Sequence, residues 1–498
     1  MATTNAALEL LEHNLRDRPD QTVYLCSGRA HSYRELGQAV RCLARQLRHR
    51  GISPGERVLI ALPDCFALPV AFLGCLLAGA VAVVVNPELE HETLAHIANH
   101  AETRLRITLE GSAASWPASS LEEIVCNMLG PLEWAGSEAE AGRGLELGDA
   151  YQPTDSDLAY LLCTSGSTGA PKAVPHRHRS LLLPCDLVGK AVLGLTVEDL
   201  DLLHQQVLLR LRAHQQPGPA AAARRQRHPP PGQPDPAAVL ELIRRHSPSV
   251  LFSVPTLFAQ ILRSWPELPQ RLPMRLCCSA GEALPAALCE EWRRLTGLEI
   301  LDGIGSTEMA YHFIANAPGQ AVAGSAGKLV PGYRARLVDD RGEEVPPGQE
   351  GQLLIDGPTR TPACESSPND PADSFWATGD LFVERDDYYF HRGRSDDRFK
   401  SAGCWVSPSV VEEALSGHPA VAECAVAATR VGGFSVPGAF IVLAGAASES
   451  PGLLAELHRH CRERLPAALC PARIRFVAEL PRTATGKVQR FKLNPIQE

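Results

Sequence analysis

Apolar and polar positions along this chain alternate between two periods. Residues 39–50 repeat their apolar side chains at helical spacing, and 57–62 form a short apolar run of strand length. The same alternation returns later. Residues 237–246 predict a helix, 249–254 a strand, and a second helix begins at Thr256. Two further apolar runs, 276–278 and Ile300-Leu301, each lead into a glycine turn, and 158–162 reads as a buried strand interrupted only by Tyr160. Helix and strand in alternation predict a layered α/β architecture with mostly parallel sheets.

One apolar stretch, 66–85, is long enough to cross a membrane. Pro69 early, Gly79 late and the β-branched Val81, Val83, Val84 and Val85 instead predict a buried helix and then a buried strand, closed by the Asn86-Pro87 turn. No membrane span is expected. Around 392–397 a charged, glycine-containing joint precedes about a hundred residues, the size of a small α+β domain. No internal repeat is evident.

At 498 residues the chain is long enough for more than one domain. The net charge of −9 argues against a general nucleic-acid binder. Fifteen cysteines are scattered through the chain, and no basic segment followed by an apolar one opens it. Reduced thiols in a cytoplasmic enzyme fit that pattern. Cys277-Cys278 lacks metal-ligand spacing and reads as core. His176 and His178 read as surface residues.

The richest chemistry lies in Thr164-Ser165-Gly166-Ser167-Thr168-Gly169-Ala170-Pro171-Lys172. Glycines let the backbone turn tightly and present N–H groups to an anion. Hydroxyls add donors, and Lys172 adds a point charge. A strand followed by such a loop predicts a phosphate-binding turn, although the Gly-Lys-Ser/Thr order of the P-loop is absent. A Ser/Gly linker would not need the flanking strand or the Pro-Lys ending.

Four more segments follow in order: Ser279-Ala280-Gly281-Glu282, Asp302-Gly303-Ile304-Gly305-Ser306-Thr307-Glu308, Thr378-Gly379-Asp380, and Pro481-Arg482-Thr483-Ala484-Thr485-Gly486-Lys487. Each is weak alone. Together they resemble the acyl-adenylate-forming superfamily of acyl-CoA ligases, luciferases and carrier-loading adenylation domains, over nearly the full chain. The stretches ending in Met309, Trp405-Val406-Ser407-Pro408, and Thr485 to Lys492 look most like benzoate-CoA ligases and related aryl-CoA ligases.

The resemblance implies a large N-terminal domain, 1–394, and a small C-terminal lid, 395–498, that rotates between two half-reactions. It implies ATP, Mg²⁺ and coenzyme A as cofactors and an aromatic acid as substrate. Carried over residue by residue, Thr164, Ser165, Gly166, Ser167, Thr168, Gly169 and Lys172 would hold the β- and γ-phosphates. Thr307 would contact the α-phosphate, and Glu308 would bind Mg²⁺. Gly281, Glu282, Asp302 and Gly303 would line the adenine site, and Asp380 and Arg394 would grip the ribose. Ala280, Ile304 and Tyr311 would face the acid. Lys487 would reach in from the lid during adenylation, Asp396 matches the hinge, and Gly403 matches the stretch lining the pantetheine tunnel. Two alternatives stay open: loading of a separate acyl-carrier protein, and an inactive nucleotide-binding homologue.

The chain departs from the family pattern in four places. Ala173 stands where glycine is usual, Tyr311 where benzoate-CoA ligases tend to have histidine, and 359–370 lacks a Gly-Tyr-Trp-like element. The largest departure is 204–231, with five each of Arg, Gln, Pro and Ala and no acidic residue, where the family has an aromatic pocket segment and a core strand. This stretch reads as a compensated frameshift. Shifted by one base, suitable codons for 207–212 encode Phe-Phe-Phe-Ala-Tyr-Gly, and those for 224–231 encode Gly-Ala-Ser-Ala-Ile-Leu-Leu-Leu. The gene's own codons test this directly. If they cannot give the shifted reading, the explanation fails.

Overall fold

The computed structural model describes residues 4–26, 29–110, 121–126, 145–165, 171–196, 198–203, 221–223, 236–264, 272–362, 375–431, 433–445, 447–482 and 488–493. Most of the phosphate loop (166–170), the stretch 483–487 and most of the anomalous stretch 204–231 lie outside them.

The first large sheet has six strands, in spatial order Glu122–Cys126, Thr103–Leu109, Arg57–Ala61, Val81–Val84, Leu158–Ser165 and Pro171–Arg177. All pairs are parallel except the last, where Pro171–Arg177 folds back on Leu158–Ser165. The helix Ala67–Ala78 is buried on every side and stops at Gly79, whose φ of +92° is the left-handed conformation glycine adopts without strain. It is followed by the strand Val81–Val84, as the apolar pattern of 66–85 predicts. Among the described residues no helix is long and apolar enough to cross a membrane. The helix Tyr33–His49 begins before its expected start because Ser32 and Glu35 form a reciprocal capping box.

The second large sheet runs Lys328–Leu329, His312–Ala315, Ile300–Gly305, Leu276–Ser279, Val250–Ser253, Asp201–Leu203. Its last four strands are mutually parallel. Helices Pro236–His246, Pro255–Ser264 and Ala286–Thr296 pack on it through Ile243, Phe258 and Trp292. Cys277 and Cys278 are buried here, as expected.

Two expectations are corrected. The third sheet, Arg334–Val338, Glu350–Asp356, Trp376–Arg385 and Tyr388–Arg394, is wholly antiparallel, so helix–strand alternation does not extend past residue 330. His176 and His178 are buried, not surface residues. His176 stacks on Tyr160 with ring centroids 4.4 Å apart. The Ala6 amide donates to His178 Nδ1 at 3.1 Å, and burial lowers the His178 pKa to about 4. The N-terminal helix Ala6–Asp17 packs over this strand end and covers what the local sequence leaves open.

After residue 394 come the hairpin Phe399–Ser401 and Cys404–Val406, helix Pro408–Ser416, a sheet of Val421–Val431, Phe434–Leu443 and Arg473–Phe476, and helix Pro451–Arg464. This small unit has its own core around Val411, Leu415, Val426, Ile441 and Leu457.

Candidate active site

In open α/β sheets, ligands bind beyond the carboxyl ends of the strands. Three of the sequence-selected segments leave such ends. Ser279 closes one strand and leads into Ala280, Gly281 and Glu282, and Gly281 turns the chain with φ +95°. On the neighbouring strand Asp302 pairs with Ser279, and Gly303, Ile304 and Gly305 run on toward Thr307 and Glu308.

The close approach at Gly305 explains its lack of a side chain. A Cβ there would sit 2.4 Å from the Tyr311 carbonyl oxygen. Tyr311 stacks on His312 at 4.4 Å. The Thr361 amide donates to the Glu308 carbonyl at 3.0 Å and fixes the turn after this strand. Burial pushes the Asp302 carboxyl up to about 8, with the Ser279 hydroxyl and the Gly303 amide pulling it down. Near neutrality it is largely protonated.

Glu282 is positioned by a residue the sequence reading missed. Thr256, opening helix Pro255–Ser264, donates through Oγ1 to Glu282 at 2.6 Å. No local signal could find this bond between separate strand ends.

The third sheet supplies a second cluster. Asp380 and Arg394 are cross-strand partners in the register, with Oδ1 and Nη1 3.4 Å apart. Arg394 also donates to the Thr378 carbonyl at 3.2 Å, and Asp380 N–H to Thr378 Oγ1 at 3.0 Å. His391, also unanticipated, lies 3.5 Å from Asp380. Ser395 bonds the Gly379 carbonyl through its amide at 2.8 Å, and Asp396 Oδ2 stands 3.7 Å from Arg394 Nη2. Gly403 turns the following hairpin with φ +82°.

Toward the phosphate loop, the strands carrying Thr164-Ser165 and Lys172 pair antiparallel, Thr164 opposite Lys172 and Ser165 opposite Pro171. They bring the two ends of the loop together. Gly166, Ser167, Thr168 and Gly169 lie outside the described residues, as does Lys487. An isolated antiparallel bridge between Arg482 and Val488 likewise brings together the residues flanking 483–487.

Two family models match this chain. That of the AMP-binding enzyme covers residues 11–362, and that of the AMP-binding enzyme C-terminal domain covers 410–487. The chain belongs to the AMP-binding enzyme family. It is 35% identical to a benzoate–CoA ligase of Thauera aromatica, over 98% of this chain and 95% of that protein. It is also 35% identical to a p-hydroxybenzoic acid–AMP ligase of Mycobacterium tuberculosis, but spans only 63% of that longer protein. Its fold is similar to that of an anthranilate CoA ligase solved with anthranoyl-AMP, with TM-score 0.87 and 33% identity, covering 99% of this chain and 96% of that one.

The family's chemistry calls for a magnesium ion. Among the described residues no group of three or more His, Cys, Asp or Glu is gathered to hold a metal. A single carboxylate, the role the resemblance gives Glu308, is enough for Mg²⁺, which keeps waters and is usually held by one or two carboxylates plus substrate phosphates. The residues present therefore fit an ion that arrives with a nucleotide.

Proposed function

We propose that this enzyme activates an aromatic carboxylic acid with ATP and transfers the acyl group to coenzyme A. The observation that carries the proposal is the register that pairs Ser279 with Asp302, so that the segments carrying Glu282 and Thr307 leave neighbouring parallel strands, in a chain 35% identical to a benzoate–CoA ligase over 98% of its length.

In the first half-reaction a carboxylate oxygen attacks the α-phosphorus of ATP. The bond to the β-phosphate oxygen breaks, and pyrophosphate leaves with the electron pair. The barrier is one of alignment and charge, so the residues needed are donors and cations. Ser165, Ser167, Thr168 and Lys172 hold the β- and γ-phosphates, and Thr307 the α-phosphate. Glu308 holds Mg²⁺, which when bound neutralises phosphate charge. Gly281, Glu282 and Asp302 line the adenine. Asp302, largely protonated near neutrality, adds little negative charge beside the nucleotide. Asp380 and Arg394 grip the ribose hydroxyls, and Lys487 neutralises charge at the α-phosphate and the acid. Ala280, Ile304 and Tyr311 face the aromatic ring.

In the second half-reaction the thiolate of coenzyme A attacks the acyl carbon, the bond to AMP breaks, and AMP departs with the electron pair. The lid, 395–498, turns about Asp396 between the steps, and Gly403 then lines the thiol's path. Coenzyme A is favoured over a carrier protein because the chain spans 95% of the benzoate–CoA ligase.

Pyrophosphate release screened across benzoate, hydroxybenzoates and anthranilate, followed by mass detection of the thioester, tests the proposal. Release with no thioester from coenzyme A would point to a carrier acceptor. ATP binding without release for any acid would overturn the proposal.

A further inference from the structure

Arg482 immediately precedes the 483–487 stretch that carries Lys487. Its isolated antiparallel bridge with Val488, and the Gln489 amide donating to the Pro481 carbonyl at 2.7 Å, join the chain entering the loop to the chain leaving it. The guanidinium then divides between two carboxylates. Nη2 donates to Glu423 at 2.8 Å, on the Val421–Val431 strand of the same small unit. Nη1 lies 3.6 Å from Glu282 Oε1, on the turn after the Leu276–Ser279 strand of the large unit. Glu282 is itself held by Thr256. Arg482 and Glu282 are only 18% and 19% exposed, so solvent screens this pair less than a surface ion pair.

On the other side of the loop Arg490 is tied inside the small unit, at 3.0 Å to Asp397 and at 2.9 and 2.8 Å to the two Glu412 oxygens. The residues flanking 483–487 are thus anchored inside the small unit at Glu423, Glu412 and Asp397, and Arg482 also reaches across to Glu282 of the large unit.

We propose that Arg482 is a positioning residue, a latch that ties the small unit to the large one at Glu282, next to the stretch that carries Lys487, and is released when the small domain turns for thioester formation. This inference rests on the two-step reading above. A rigid turn of the small unit preserves the Arg482–Glu423 contact and breaks Arg482–Glu282. A contact present in only one of two arrangements shifts their balance by its own free energy. A planar fork of donors can serve two carboxylates at once, which a lysine point charge cannot do in the same geometry.

Arg482→Gln is the test, in single-turnover assays of each half-reaction with benzoate and ATP, and with supplied benzoyl-AMP and coenzyme A. Acyl-AMP formation is expected to fall roughly fivefold or more, the lower end of typical coupling between sites. Thioester formation should be unchanged or faster. Arg482→Lys should recover part of the loss, because it keeps a positive charge opposite Glu282.

Hydrogen exchange supplies a readout independent of activity. In the nucleotide-free protein, Arg482→Gln should speed exchange across 255–257 and 481–489 at an unchanged melting temperature. Equal loss in both half-reactions with a lowered melting temperature would make Arg482 merely structural. Unchanged exchange and unchanged adenylation would also overturn the latch. Failure of the native enzyme to release pyrophosphate with any aromatic acid would instead refute the functional reading, while exchange still decides the latch.

Discussion

Around Asp380 and Arg394 the contacts are fixed by backbone register. The two residues are paired across adjacent antiparallel strands, and their neighbours Thr378, Gly379 and Ser395 are bound through main-chain groups. Around Arg482 the arrangement differs. A two-residue bridge sets the loop base, and ion pairs from Arg482 and Arg490 hold it. Register cannot change without unpairing a sheet, whereas an ion pair can break and reform. The Asp380–Arg394 side suits the proposed ribose contact, kept through both half-reactions, and the Arg482 side suits a contact needed in a single step. Changes on the lid side should therefore separate the half-reactions, and changes on the sheet side should affect both.

The largest expected effect is on the lid. Lys487→Ala should slow acyl-AMP formation by roughly 10²–10³, the usual cost of one lost donor to developing charge. Thioester formation from supplied acyl-AMP should be spared. Equal loss of both steps, measured by single turnover, would erase the distinction between the two regions.

Asp396→Pro comes next. Proline fixes φ and removes the rotation that a hinge needs. Thioester formation should drop about tenfold or more relative to adenylation. A variant that forms thioester at the native rate would take Asp396 out of the hinge.

On the sheet side Gly379→Ala is expected to behave differently. Gly379 has φ +77°, and an added Cβ would meet Arg394 Nη2 at 2.8 Å. A non-glycine residue in this conformation costs about 1–2 kcal/mol, and the Arg394 side chain must shift as well. KM for ATP should rise several-fold, and use of supplied acyl-AMP should weaken by a similar factor, because both species carry the ribose. A loss confined to one half-reaction would contradict a grip shared by both.

The sequence made the sheet-side site more legible than the lid. Gly303-Ile304-Gly305 ends a strand after an apolar run, and Thr378-Gly379-Asp380 stands near the start of a strand just before the apolar Leu381-Phe382, so both carry their geometry locally. The Arg482–Glu282 contact joins residues two hundred positions apart and leaves no periodic trace. Thr256 and His391 escaped for the same reason. The wholly antiparallel sheet carries no helix–strand alternation, so the period that marks the first two sheets could not mark it. At 204–231 the expected aromatic wall and strand fall largely outside the described residues; within it, Ala221–Ala223 pairs parallel with Thr22–Cys26.

His178 shows where local reading misled, and it carries the smallest predicted effect. Two histidines following a loop look exposed, but His176 stacks on Tyr160 and His178 meets the N-terminal helix at Ala6. Buried, His178 accepts the Ala6 amide through Nδ1, which requires an unprotonated nitrogen. Burial lowers its pKa from 6.5 to about 4, and Asp157 opposes the shift. The unfolded chain therefore binds more protons between these values, so stability falls as pH drops from about 6.5 toward 4 and is fully present above that window. One unit below the unfolded pKa, near pH 5.5, the loss is about 1.4 kcal/mol. That corresponds to a melting shift of about 3–6 °C in a domain of 150–250 residues, less in a larger one. His178→Gln should lower the melting temperature at pH 7.5 but flatten its decline between pH 7 and pH 5. Both half-reactions at pH 7.5 should stay in their native ratio, because the residue belongs to the fixed region. A variant that melts with the native pH slope would show that another group carries the acid sensitivity of this seam.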